Sequence, residues 1–333
     1  MNFVATIPLT PEGPVNDRLS CAANLAPYHE PVLTDEVSQA LIVRPGGKYI
    51  DCTAGEGGHT QIILENCIPG GHVLAIDADP KALEVARCRL RSHQSHFTPV
   101  QDSYAYLEEI AYSHNLTKAD GILIDLGLSS FQLEASGRGF SFQRNEQLDM
   151  RFDPSTPVTA AQIVNNSKQD ELAHLLKDFG EERHARTIAR AIVHGRPITT
   201  SAQLGELVKR TVGPTKRGLH PATRTFQALR IAVNSELENL KQGLQQAVRL
   251  LKPGGRLVII SYHSLEDRLV KTAFQQEARG CICPIEVPQC ACGHSPTLRV
   301  ITRHIVTPSE KERMENPRSR SARMRVAERL PLD

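Results

Sequence analysis

The sequence lacks any apolar run long enough to cross a bilayer. Its apolar stretches, such as residues 257–260, are far shorter than the roughly 20 residues that a spanning helix needs. It also lacks a basic start followed by an apolar block, so no secretory signal is predicted. We therefore expect a cytoplasmic protein of enzyme size that does not interact with a membrane.

A strong net charge is also lacking, since the 333 residues carry a formal charge of +2. This value hides two basic zones. Residues 131–230 carry 15 Lys and Arg against 10 Asp and Glu, residues 299–329 carry 9 against 4, and the rest is acidic, with 15 against 23. The segregation indicates either a polyanionic partner that touches part of the surface or ordinary solvated charge.

Strand and helix signals alternate from residue 48 onward, which predicts an α/β fold with a parallel sheet and right-handed crossovers. Strands are predicted over residues 48–52, 72–77, 97–101, 119–125, 256–262 and 297–306. Between residues 131 and 230 the pattern instead predicts helices, at 169–179, 183–194 and 201–212. We predict three units: a flexible extension (1–26), a discontinuous α/β domain (27–130 and 231–333), and a helical insertion (131–230) as the RNA-recognition domain.

A glycine-rich turn, Asp51-Cys-Thr-Ala-Gly-Glu-Gly-Gly-His59, follows the first predicted strand. Glycine lets backbone approach a ligand, and the following helix N-terminus offers free N–H groups. The turn lacks the G-x-G-x-x-G spacing, so a pyrophosphate cradle is not encoded and a nicotinamide oxidoreductase is a distant alternative. Asp77 ends the second strand 22 positions after Gly55, where a carboxylate can accept hydrogen bonds from both ribose hydroxyls.

Two further features favour S-adenosylmethionine as the cofactor. Asp125 ends the fourth predicted strand, where its carboxylate can face a cationic methionine moiety or the substrate. A Lys-Pro-Gly-Gly-Arg turn precedes the fifth strand at residues 252–256 and is typical of methyltransferases with this architecture. The loop is therefore interpreted as a nucleoside-binding loop of a Rossmann-like methyltransferase sheet.

The sequence resembles one family closely, the MraW or RsmH methyltransferases of small-subunit ribosomal RNA. Motifs such as Gly57-Gly-His59 and His220-Pro-Ala-Thr-Arg-Thr225 carry the resemblance. The full set occurs in the family's order over about residues 28–329, at 28–33, 57–59, 75–80, 121–127, 129–130, 138–142, 148–151, 180–183, 220–230, 233–236, 261–268 and 316–320.

The resemblance implies methylation of the exocyclic amine, N-4, of a decoding-centre cytosine in 16S rRNA, within the small ribosomal subunit or its precursor. S-adenosyl-L-methionine is the implied donor. With Gly55 of the loop, the residues expected to bind it are Gly57, Gly58, His59, Asp77, Tyr104, Asp125 and Gln132. Tyr104 stands where the family has an aromatic residue, often Phe. The sequence leaves the oligomeric state open, a homodimer included.

The amino lone pair of cytosine is delocalised into the ring, so the site must align the nitrogen and accept its protons. Related enzymes use an Asn/Asp-Pro-Pro-aromatic loop, but residues 125–129 read Asp-Leu-Gly-Leu-Ser. Asp125 and nearby carbonyls are the candidate acceptors. His263 follows the fifth strand and is a second candidate, either as a base or substrate contact or as a helix-capping residue.

RNA binding is expected to fall to the basic insertion and tail, by phosphate neutralisation and base stacking. The candidate residues are Arg138, Phe140, Phe142, Arg183, Arg186, Lys216, Arg217, Thr223, Arg224, Arg318 and Arg320. For the two phenylalanines, simple core packing is an equal alternative. For Arg224, the alternative is pairing with a carboxylate.

Four cysteines, Cys281, Cys283, Cys290 and Cys292, form a compact cluster in a Gly- and Pro-rich segment. Four thiolates can bind zinc tetrahedrally, although Cys-x-Cys is tighter than the usual two-residue spacing. Free thiols are the alternative, and the sequence alone does not assign a metal.

Two alternative functions share these features. One is a methyltransferase of another RNA or of protein, whose cofactor motifs would look the same. The other is a non-catalytic ribosome-assembly factor that binds RNA and uses the cofactor only structurally.

Overall fold

The fold is that of a computed structural model, which describes residues 30–213, 220–284 and 289–331. The expected extension at 1–26 and two candidate RNA residues, Lys216 and Arg217, lie outside the described residues. Among the described helices, none is both long enough and apolar enough to pass through a membrane.

A seven-stranded sheet forms the centre of the protein, in the order β3-β2-β1-β4-β5-β7-β6. Strands β1 to β5 run parallel, and β7 is antiparallel to both of its neighbours. The strands are β1 (Lys48–Asp51), β2 (His72–Asp77), β3 (Phe97–Gln101), β4 (Ala119–Asp125), β5 (Leu251–Ser261), β6 (Leu298–Val300) and β7 (Arg323–Arg329). The predicted Rossmann-like α/β class is thus confirmed.

Thirteen α-helices lie among the described residues. They are α1 (Thr34–Leu41), α2 (Gly58–Cys67), α3 (Pro80–Arg89), α4 (Leu107–Ser113), α5 (Ser130–Glu134), α6 (Ala160–Asn166), α7 (Gln169–Gly180), α8 (Ala185–His194), α9 (Ser201–Val212), α10 (Thr223–Asn234), α11 (Glu236–Leu250), α12 (Ser264–Glu277) and α13 (Glu310–Glu315). Several begin with reciprocal side-chain caps. At α9, Thr200 and Gln203 each accept the other's backbone N–H, which fixes the first turn.

Two hydrophobic clusters cover the two faces of the sheet. In β4, Ile122 and Ile124 belong to one cluster, whereas Leu123 between them belongs to the other. Successive side chains of a strand point to opposite faces, so a strand buried on both faces must be apolar throughout. This explains why the central strands are continuous apolar runs.

A third hydrophobic cluster draws its buried residues from Phe140 to Val233 and contains the apolar faces of α6 to α10. Helix α10 runs from Thr223 to Asn234, so it crosses the predicted domain boundary at residue 230. The division into an α/β domain and a helical insertion stays a prediction.

The ends of the sheet differ from the sequence-based expectation. Strand β5 begins at Leu251 and not at residue 256, so the Lys-Pro-Gly-Gly segment that was expected to be a turn belongs to the strand. The pairing of β5 with β4 shifts register between Ala119 and Gly121. Strand β6 is confined to Leu298–Val300. Strand β7 was not predicted: apolar Met324 and Val326 are buried, but the arginines around them resemble a basic cluster.

One buried ion pair joins the sheet to the segment that follows α5. Asp79 is fully buried at the N-terminus of α3, where its carboxylate accepts a hydrogen bond from the guanidinium of Arg138. The same guanidinium donates to the carbonyl oxygens of Arg151 at 2.9 Å and Phe152 at 2.7 Å. Arg138, a candidate RNA residue, therefore serves the fold, because its donors are engaged inside the protein.

Replacing Arg138 with methionine removes the cation and leaves the Asp79 carboxylate buried. Breaking a buried ion pair in this way costs about 3–5 kcal/mol. The control is Arg183→Met, since Arg183 is exposed and exposed substitutions change stability by at most about 0.5 kcal/mol. Urea denaturation measures both free energies of unfolding, and equal losses in the two variants would contradict this role for the pair.

Candidate active site

A cleft of about 930 Å³ opens at the carboxyl ends of the parallel strands. It lies where the strand order reverses between β1 and β4, the position at which open α/β sheets bind ligands. The structure brings seven of the eight predicted cofactor residues into its lining: Gly55, Gly58, His59, Asp77, Tyr104, Asp125 and Gln132.

Gly57, the eighth, lies behind the cleft at the start of α2. Its φ of 83° is in the left-handed region. A Cβ atom there would lie 3.1 Å from Leu90 Cδ1 and 3.3 Å from Ala86 Cβ. Both the turn and the close packing of the loop against α3 therefore require glycine at this position.

Asp77 ends β2 and is held by two backbone donors. The N–H of Gly55 donates to its Oδ2 at 2.7 Å, and the N–H of Asp79 donates to its Oδ1 at 2.8 Å. Burial raises the pKa of Asp77 to about 6, although these two N–H groups oppose the shift. The carboxylate is thus fixed in orientation and ionised at neutral pH.

Asp125 ends β4 on the other side of the cleft, and two side chains lie beside its carboxylate. The Tyr262 hydroxyl is 3.0 Å from Oδ1, and His59 Nε2 is 3.4 Å from Oδ2. Burial raises the pKa of Tyr262 well above its ordinary value, and Asp125 adds to the shift, so the hydroxyl remains protonated and donates. The backbone N–H of Asp125 donates to Thr53 Oγ1 at 2.7 Å.

Tyr104 lines the cleft, and one face of its ring packs against α11. A Cβ atom on Gly243 would lie 2.7 Å from Tyr104 Cδ2, so the missing side chain of this helical glycine gives the ring its place. Burial raises the pKa of Tyr104 well above its ordinary value. The ring therefore offers a neutral aromatic surface on which a nucleobase can stack.

Gln132 connects the cleft to the buried ion pair. Its Oε1 accepts the backbone N–H of Ser129 at 3.0 Å, and its Nε2 donates to Asp79 Oδ2 at 3.3 Å. Gln132 is only 5% exposed. Its main observed contacts are thus with the cap of α5 and with Asp79.

His263, the second catalytic candidate, caps α12 and is not among the residues that line the cleft. Its Nδ1 accepts the N–H of Glu266 at 3.4 Å, and its Nε2 is 3.0 Å from Glu266 Oε1. Burial would raise the pKa of Glu266, but His263 and Arg230 outweigh it and lower the pKa. The helix-capping alternative describes its observed contacts.

Both candidate stacking residues pack inside the helical part. Phe140 is 5% exposed and stacks on Phe152 with ring centroids 5.6 Å apart, so its ring has no free face for a base. Phe142 is partly exposed and stacks on His220 at 4.2 Å.

The candidate basic residues fall into two groups. Arg183, Arg186 and Arg320 are exposed, and within the described chain no hydrogen bond or ion pair engages their side chains. Arg224 instead donates to the carbonyl of Glu181 at 2.9 Å, and Thr223 begins α10. Arg318 pairs with Glu134 and lines the cleft.

Sequence reasoning missed several residues that shape the cleft. Tyr262 and Thr53 position Asp125, and Arg230 makes a twofold ion pair with Glu236, with distances of 2.8 and 2.9 Å. In the sequence, the signal for these residues was weak, because each lies inside a longer motif. The spacing within a motif does not show which of its residues shape the cleft. The proximity of residues 53 and 262 to the end of β4 follows only from the strand order.

The strand order and the nucleoside-sized cleft at its switch point define a Rossmann-like methyltransferase. A family model described as the MraW methylase family matches residues 26–330, and the chain belongs to this family.

Two curated relatives carry the name ribosomal RNA small subunit methyltransferase H. The protein of Dehalococcoides mccartyi is 54% identical over 302 residues, which cover 91% of this chain and 86% of the relative. The protein of Thermomicrobium roseum is 52% identical over 319 residues, which cover 95% and 98%. Among solved structures, an rRNA methylase from Streptococcus thermophilus aligns with a TM-score of 0.39 and 11% identity, covering 90% of this chain and 94% of that one.

S-adenosyl-L-methionine is the cofactor of this methylase, and the residues of the cleft fit it. Asp77 offers a carboxylate of the kind that accepts hydrogen bonds from ribose hydroxyls. Among the described residues, neither ring nitrogen of buried His59 has a hydrogen-bond partner that meets ordinary geometry. Buried polar groups normally have partners, so these nitrogens suit a ligand in the cleft.

The pKa of Asp77 predicts a pH dependence of cofactor binding. Between pH 7.5 and 5.5 the carboxyl gains a proton and loses the charge that makes it a good acceptor. With a pKa of about 6, the dissociation constant of S-adenosylhomocysteine should rise about fourfold if only the ionised form binds.

Isothermal titration calorimetry at the two pH values measures this change. Asp77→Asn cannot ionise at this position, so it should bind more weakly at both pH values with little change between them. The same fourfold rise in that variant would assign the pH dependence to another group.

Proposed function

We propose that this chain methylates N-4 of a decoding-centre cytosine in the 16S rRNA of the small ribosomal subunit, acting in the cytoplasm. The observation that carries the proposal is the oriented Asp125 carboxylate at the end of β4, on the opposite side of the cleft from the ribose-binding Asp77. The names of the relatives support the rRNA substrate.

S-adenosyl-L-methionine supplies the methyl group in this reaction. We assign its ribose to Asp77, its adenine to the surface of Tyr104, and its remaining part to the cleft between the glycine loop and Asp125. The acceptor amine loses one proton when its nitrogen gains the methyl group. Asp125 accepts hydrogen bonds from the N–H groups of the base. The released proton passes to solvent after transfer, and the donor leaves as S-adenosylhomocysteine.

The surroundings of Asp125 fix the orientation in which its carboxylate can accept a hydrogen bond. The Tyr262 hydroxyl donates to Oδ1 and His59 Nε2 lies 3.4 Å from Oδ2, while about a fifth of the Asp125 side chain remains exposed. A carboxylate has about four acceptor sites, so it can accept from the amine without losing these contacts. An acceptor aimed at a developing positive charge lowers the barrier, because it needs no reorientation during the reaction.

Asp125→Asn should lower the single-turnover rate of methyl transfer by about 100-fold, the usual effect of removing one preorganised polar group. The matched control is Asp120→Asn on the same strand. Asp120 lies near the opposite end of β4, where it pairs with Arg44 and Lys252, so its replacement should leave the rate per folded molecule unchanged. Equal rates of methyl transfer in the two variants would contradict a role for Asp125 in the reaction.

The basic surface near the cleft supports an RNA substrate. Arg318 lines the cleft, and Arg320 is exposed in the same 3₁₀ turn, Pro317–Ser321. On the helical side, Glu181 pairs with Arg268 of α12 at 2.9 Å. Exposed Arg183 is therefore two residues along the chain from this ion pair with α12. The exposed guanidinium groups of Arg183 and Arg320 can neutralise phosphates, and such contacts give binding a strong salt dependence.

The substrate assignment is tested by tritium transfer from labelled S-adenosylmethionine into small subunits that lack the modification, followed by nucleoside mapping. The proposal expects N4-methylcytidine at a single decoding-centre position. Label in another RNA or in protein would support a methyltransferase with a different substrate. Binding of both cofactor and subunits without transfer would instead support the non-catalytic assembly factor.

A further inference from the structure

The segment between α12 and β6 brings four thiols together at the protein surface. The Sγ atoms of Cys281, Cys283, Cys290 and Cys292 all lie within 4.8 Å of one another. Cys292 Sγ is 3.6 Å from Cys290 Sγ and 3.8 Å from Cys281 Sγ. These contacts come from two Cys-x-Cys pairs that the sequence separates by six residues.

We propose that these four cysteines form a structural zinc site. In a tetrahedral site with Zn–S bonds of about 2.3 Å, neighbouring sulfurs are about 3.8 Å apart, because the edge of a tetrahedron is about 1.6 times its radius. The observed separations of 3.6 and 3.8 Å match this edge. They are also far longer than the roughly 2.05 Å of a disulfide.

The surroundings of the four thiols offer little other reason for them to converge. Cys281, Cys290 and Cys292 are exposed, so hydrophobic burial does not gather them. The backbone N–H of Cys283 donates to Cys281 Sγ at 3.4 Å. His294 is turned away, since its Nε2 contacts the carbonyl oxygen of Gln276 at 3.2 Å. The set is therefore four sulfurs, a closed structural site with no open position for a substrate.

A second group of potential metal ligands, Glu236, His263 and Glu266, is a weaker candidate for a metal site. Arg230 already supplies a cation there, with two hydrogen bonds to Glu236. His263 and Glu266 are used as the cap of α12. The Glu236 carboxylate is therefore already paired with a cation of the protein, which leaves the four cysteines as the stronger candidate.

The zinc would fix the connection from α12 to the edge of the sheet. Near the cluster, the N–H of Thr297 donates to the carbonyl of Glu277, the last residue of α12, at 2.8 Å. Between Glu277 and Leu298, the residues that the structure describes form no helix or strand. A metal inside this loop supplies the cross-link that a hydrophobic core would otherwise give.

The test is metal content together with cobalt spectroscopy on the full chain. Protein purified under reducing conditions, and loaded with zinc if needed, should hold about one zinc per chain after desalting. Replacement by Co²⁺ should give the intense absorption of tetrahedral cobalt and the near-ultraviolet sulfur-to-cobalt bands that only thiolate ligands produce. The double variant Cys281→Ser/Cys292→Ser should lose both the bound zinc and these bands.

The matched control is Ile282→Ala, since Ile282 lies between two of the cysteines and is 41% exposed. This variant should retain the zinc. The proposal is overturned if loaded wild-type protein holds less than about a tenth of a zinc ion per chain, or if the double variant keeps as much as the control. Cobalt absorption without sulfur bands would also overturn it, because the metal would then lie on other ligands. All of these readouts are independent of methyl transfer.

Discussion

The arrangement of the cleft depends on the hydrogen bonds of buried Asp79. Its carboxylate accepts hydrogen bonds from Gln132 and from Arg138, and its backbone N–H donates to the Asp77 carboxylate. One residue thus links the end of β2, the cap of α5 and the segment that enters the helical part. A buried charge is tolerated only when it is paired and hydrogen-bonded, so these three parts are constrained to keep their relative positions.

The two cleft carboxylates differ because their environments differ. Asp77 is held by backbone N–H groups at the end of β2, and burial raises its pKa to about 6. Asp125 accepts a hydrogen bond from the Tyr262 hydroxyl at the end of β5, and His59 at the start of α2 lies beside it. Parallel strands bring both acids to one edge of the sheet. In the reaction that we propose, this separation lets one carboxylate bind the cofactor while the other faces the substrate.

The central strands and the family were predictable from sequence because the signals were local and strong. Apolar runs that end in Asp77 and Asp125 identify strands buried on both faces, and the glycine turn identifies the loop. Partner choice was not predictable, because a basic residue has the same sequence signature whether it is paired or free. Arg138 and Arg183 illustrate this difference, since only the three-dimensional fold brings Asp79 to the first of them. Strand β7 was hidden for a similar reason: its arginines obscured the alternating apolar positions, and Arg325 in fact pairs with Asp267 at 2.6 Å.

The most direct measurement is a crystal structure of the chain with S-adenosylhomocysteine bound. We predict the ribose hydroxyls on the Asp77 carboxylate, the adenine against Tyr104, and the sulfur on the Asp125 side of the cleft. That arrangement would leave the Asp125 carboxylate facing the space into which a base must enter. A nucleoside bound away from Asp77, or a sulfur turned away from Asp125, would contradict the division of roles between the two carboxylates.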